Sequence, residues 1–308
     1  MHEALVVLRL VHFAAAMAGF GGAAFRLYAL DGGAAREPAA ALASFDRWLA
    51  RLLRASALVM LVSALAIVPC VAALMAAEAS AALDPATVAE VLFATAFGRV
   101  WCWHLLFAAL MLLSAGIAGQ PRRSLTLALA ALGLATLGWV GHAAGGGGWI
   151  GIGHQVNQSA HLLAAGLWLG GLLPLGWLLG RARRVRDDGF VALARQALPP
   201  FSQMGYAAVA AIAVTGAINT VLLVGSFAAL FETAYGRLLS LKILLYLAMV
   251  AIALCNRFRL MPRLAARQTG TESALYRSVV IEQAIGLAIL AVISLLGTWP
   301  PPGPGHHH

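Results

Sequence analysis

The chain has 308 residues, 61% of them hydrophobic types and 11% charged, with a mean hydropathy of +0.85 and a formal charge of +9. Soluble domains average about 45–50% apolar and about 25% charged residues, so this composition excludes an ordinary soluble enzyme and a disordered chain. Three cysteines exclude a disulfide-stapled secreted scaffold.

Apolar runs long enough to cross a ~30 Å hydrocarbon core fall, in chain order, at 4–28, 52–77, 91–118, 124–143, 155–179, 203–230, 237–256 and 279–297. They are continuous runs and not ten-residue alternations, which excludes a barrel. The first reads as a membrane span and not a cleaved leader, because Arg9 and His12 interrupt its apolar core. The expectation is an all-α polytopic membrane protein. Residues 1–300 form a single eight-helix transmembrane domain, and 301–308 form a tail whose three histidines read as a tag remnant. No internal repeat stands out.

The connecting segments alternate in charge. Arg36, Arg47, Arg51 and Arg54 lie in or beside the first, Arg122 and Arg123 in the third, and Arg181, Arg183, Arg184, Arg186 and Arg195 in the fifth. Arg257, Arg259, Arg263, Arg267 and Arg277 lie in the seventh, whereas the even segments carry only acids or no charge. Basic segments stay cytoplasmic, so both termini and the even segments are expected in the periplasm of a bacterial inner membrane. The basic charge is thereby topology, and nucleic acid is not an expected partner.

Ionisable groups inside a span are costly and therefore informative. His12, His104, His142 and His161 all fall in the outer half of their spans, and together they form the predicted metal-binding set. His154, Cys102, Met17 and Met111 are secondary ligand candidates. His154, Asn157, Gln158 and His161 recur at i, i+3, i+4 and i+7, one helix face that must meet protein or a wet cavity. Asn157, Gln158, Asn219 and Lys242 are assigned to a polar path or to helix–helix bonding. Imidazole with optional sulfur suits copper, with haem b as the alternative occupant.

The stretch from His161 to Trp168, Gly170 and Gly171 resembles the signature helix of the copper resistance protein D family. So do Gly141-His142, His12 followed by Gly21-Gly22, Phe201-Ser202, and Thr215-Gly216 with Asn219. Tyr235-Gly236-Arg237 with Lys242, Asn256-Arg257 and Pro262 continue the match. The family often carries a basic residue before the Phe-Ser pair, where this chain has Pro200. The resemblance implies an inner-membrane copper protein, not an enzyme, partnered by copper ions, the lipid bilayer and a periplasmic CopC-type copper-binding protein. It supports His12, His142, His161 and His104 as ligands. The expected function is movement of copper across the membrane from a periplasm-side histidine site. The alternatives are a b-type haem electron-transfer protein and a copper sensor or storage module.

Overall fold

In a computed structural model, described over residues 1–31, 39–115, 120–141, 147–185, 188–266, 268 and 270–302, the chain is all helix with no strand among those residues. Helix α1 (His2–Phe25) runs through a π-helical turn, Arg26–Leu30. Helix α2 spans Ala39–Met75. A short α3 (Pro85–Ala94) precedes α4 (Ala96–Ser114). Helix α5 covers Gln120–Thr136 and closes in a 3₁₀ turn at Leu137–Trp139.

In the second half, α6 (Gly148–Ala165) passes through a π turn at Gly166–Gly170 into α7 (Gly171–Val185). Helix α8 spans Asp188–Val224 and the single turn α9 Ala229–Glu232. Helix α10 (Ala234–Cys255) continues by a π turn at Asn256–Leu260 into α11 (Met261–Ala265), and α12 is Thr271–Leu296.

Seven helical stretches among the described residues are long and apolar enough to cross a membrane: 2–30, 39–75, 96–114, 148–184, 188–224, 234–264 and 271–296. The predicted span 124–143 corresponds to α5, an apolar helix of 17 residues that falls short of that length. The other predicted boundaries shift for a physical reason. Hydropathy registers only the apolar part of a helix, while α2 and α8 carry their Arg-bearing ends as further helical turns, so both reach 37 residues. The predicted span 91–118 is broken at Thr95, whose hydroxyl caps α4 by accepting from Gly98 N (2.9 Å). Asp84 caps α3 in the same way and its carboxyl lies below the usual range, held down by the Thr87 hydroxyl and the Thr87 and Ala86 amides.

Helix α1 is the centre of the bundle, packing on α2, α5, α7, α12 and the π turn at 166–170. The closest approach is glycine on glycine. A side chain on Gly170 would overlap the Met17 carbonyl, and one on Gly21 would overlap the Gly166 carbonyl. Without side chains, these backbones come close enough for dispersion forces to hold them where lipid offers no hydrophobic drive. Large apolar side chains such as Leu113, Val221 and Leu244 point outward, as a lipid-facing surface requires.

The arginine-rich end is tied by charge. Arg26, 5% exposed, bonds Asp31 and also Asp46 (2.7 Å), and Arg123 reaches Asp46 (3.2 Å) and Asp31 (3.6 Å). The pairs join α1, α2 and α5 at one end of the bundle.

Candidate metal centre

His12 on α1 and His104 on α4 are brought together. Both are buried, at 1% and 0% exposure, with ring centroids 4.8 Å apart. Trp101 stacks on His104 at 4.9 Å and lies 5.6 Å from His12, closing one side. The indole is itself pinned by donating to the Ala64 carbonyl (3.0 Å).

The hydrogen bonds define which ring nitrogen is free. The Ser63 hydroxyl donates to the Val59 carbonyl (2.5 Å), so its oxygen accepts from His12 Nδ1 (2.9 Å). His104 Nδ1 donates to the Gly133 carbonyl (3.0 Å) and the Thr136 oxygen (2.7 Å). With the proton on Nδ1 in each ring, Nε2 carries a lone pair. Both Nε2 atoms are enclosed and have no hydrogen-bond partner among the described residues. Buried polar atoms are almost always satisfied, so two bare ring nitrogens on neighbouring imidazoles stand out. Fixing the ring through its other nitrogen is how metal-binding histidines are usually oriented.

His161 on α6 repeats the motif at a distance. Its Nδ1 donates to Thr215 Oγ1 (2.9 Å), whose hydroxyl donates to the Ala211 carbonyl (2.5 Å). The imidazole lines a cavity of about 460 Å³ together with Met17, Trp168 and Lys242. No three His, Cys, Asp or Glu side chains converge among the described residues, so His161 stands apart from the His12–His104 pair. His142 lies outside the described residues. His154, expected at the mouth of its span, is instead seven residues into a helix that starts at Gly148, and it is 8% exposed.

The sulfur candidates divide. Met17 (2% exposed) faces the His161 cavity, and Met111 (1% exposed) is packed in the core against Gly19. Cys102 Sγ turns to the Leu92 carbonyl (3.8 Å) at the α3–α4 corner. The polar stripe of α6 is bonded to α8. Asn157 donates to Asn219 Oδ1 (2.8 Å) and the Thr215 carbonyl (3.0 Å), and Asn219 donates to Gln158 Oε1 (2.7 Å). Sequence reasoning missed Ser63, Thr136 and Trp101, and it gave Thr215 only as part of the family pattern; all four hold or pack against the rings. The one available signal was a hydroxyl residue in an otherwise apolar run, which is too common to single out.

Fold and site together define a polytopic helical membrane protein with a buried imidazole pair in its interior. The family is then given directly by comparison, and this chain belongs to the copper resistance protein D family. The family model for the copper resistance protein D-like N-terminal domain matches residues 1–152, and that for copper resistance protein D matches 195–296. The chain is 32% identical to inner membrane protein YebZ of Escherichia coli K12, covering 96% of this chain and 98% of that one. It is 31% identical to copper resistance protein D of Pseudomonas syringae pv. tomato over 96% of each chain. A partial relative is copper transport protein CutJ of Bacillus subtilis 168, 33% identical over 47% of this chain and 25% of that one. No solved structure matches. The chain is accordingly a multi-pass inner-membrane protein.

Proposed function

We propose that this protein binds copper ions at the His12–His104 pair and passes them across the inner membrane. The carrying observation is the two unpartnered Nε2 atoms in a buried, pre-oriented pair. The names of two relatives, copper resistance protein D and copper transport protein CutJ, supply the ion. Imidazole ligands suit copper, and thioether nearby favours Cu(I). His161 with Met17 is the second station, and His142 a further ligand at the entrance.

The helices carrying these residues begin on the side assigned to the periplasm. At 1.5 Å per residue His104 lies ~12 Å, His12 ~15 Å and His161 ~20 Å from the starts of α4, α1 and α6. Copper therefore enters from outside, and a CopC-type periplasmic protein is its proposed donor. The Asn157–Gln158–Asn219 network lines the way past His161. Haem b finds no support, since rings 4.8 Å apart are too close to sandwich a porphyrin.

Proteoliposomes loaded with a copper-sensitive dye test the reading. Wild-type protein gives copper influx, and His12→Ala and His104→Ala each abolish it together with copper binding at the pair, leaving the His161 station. Binding without flux in the wild type would reduce the protein to a sensor or store, and unchanged binding in both variants would remove the site.

A further inference from the structure

The two halves of the chain share a pattern. His12 is followed nine and ten residues on by Gly21-Gly22, and His161 by Gly170-Gly171. Each histidine donates Nδ1 to a hydroxyl on the next long helix, Ser63 or Thr215, and each hydroxyl bonds back one turn. Those helices, α2 and α8, are both 37 residues long. Thr95-Ala-Phe-Gly98-Arg99 opens α4 and Thr233-Ala-Tyr-Gly236-Arg237 opens α10, and both threonines cap through the glycine amide. The halves meet reciprocally, Gly21 on the Gly166 carbonyl and Gly170 on the Met17 carbonyl, as a two-fold contact demands.

In this register the fifth residue after the arginine is His104 in the first half and Lys242 in the second. The position that completes the imidazole pair is thus filled by a cation. Lys242 lines a second, smaller cavity of about 110 Å³ with Arg9, His154, Gln158, Asn219 and Tyr235. Among the described residues no aspartate or glutamate lines it, and neither Arg9 nor Lys242 has an ion pair. Arg9 Nε is enclosed without a hydrogen-bond partner among the described residues. The guanidinium lies over Phe13 at 5.7 Å and against Gly297, where any side chain would collide with it, so it is packed in place.

Two cations facing one cavity inside a membrane protein need a counter-charge. The geometry points to a small monovalent anion bound between Arg9 of the first half and Lys242 of the second, where Lys242 takes the place that His104 holds in the metal pair. The volume holds one ion of chloride or hydrogencarbonate size. Gln158 adds an amide donor, since its oxygen is taken by Asn219. The contrast with the first half rests on the copper reading, but the anion site does not.

The test is chloride binding to metal-free protein in nanodiscs, read as protein-dependent ³⁵Cl line broadening that unlabelled hydrogencarbonate displaces. Lys242→Gln and Arg9→Gln should each weaken it roughly tenfold or more, the worth of a charge-assisted bond. Lys242→Arg should retain it, and Arg51→Gln, at the opposite end of the bundle, should leave it unchanged. Thermal unfolding confirms that each variant is folded. No broadening in the wild type, or equal broadening in folded Lys242→Gln, overturns the site. Because copper is absent, neither outcome depends on the metal reading.

Discussion

Ser63, Thr136 and Thr215 are small hydroxyl residues that decide which nitrogen of each imidazole is available. Each accepts a hydrogen bond from Nδ1–H because its own hydroxyl is committed to a backbone carbonyl. Removing the acceptor leaves the ring in place but releases its tautomer and orientation. Ser63→Ala is therefore expected to weaken copper binding by about 10–100-fold, less than His12→Ala or His104→Ala, and Thr136→Val to weaken it less, because the Gly133 carbonyl still accepts from His104 Nδ1. Competition against a Cu(I) chelator measures this, and wild-type affinity in both variants would show that the rings need no such anchor. The histidines were legible in the sequence because an ionisable group stands out among apolar neighbours. Their anchors were not, because a serine or threonine in a membrane helix is ordinary.

At the scale of elements, the glycines and π turns carry the geometry. A π turn inserts one residue and is frequent at functional sites. The turn at Gly166–Gly170 presents two glycines to α1 directly below the helix that bears His161. Gly170→Ala places a methyl on the Met17 carbonyl, where no side chain can move aside. Overpacking of this kind typically costs about 1–3 kcal/mol, so the variant should unfold at lower temperature in detergent and lose capacity at both histidine stations. Gly205→Ala, on α8 with open space around it, is the control and should behave as wild type. The positions of most spans were legible from apolar runs. Their ends were not, because arginine-bearing turns extend α2 and α8 beyond any hydropathy window, and because the Thr95 cap splits a run of unbroken hydrophobicity into two helices.

For the whole molecule, the arginine-rich segments gather at one end, where Arg26 and Arg123 share Asp31 and Asp46 across three helices. We propose that α5 is an eighth crossing, which would put both termini outside. An alkaline phosphatase fusion after Pro302 should be active and a fluorescent-protein fusion there dark, while truncation after Arg184 should reverse both. An inactive phosphatase at Pro302 would mean an odd number of crossings. The membrane class, the helical fold and the family followed from the sequence alone, because composition and hydropathy depend only on which residues are present and in what order. Tertiary structure decided that the histidines divide into a pair and a separate single, since which side chains meet depends on how helices far apart in sequence pack. It also revealed the two-fold relation between the halves. The few residues that express it are scattered among interchangeable apolar positions, and only shared hydrogen bonds and reciprocal glycine contacts make them correspond.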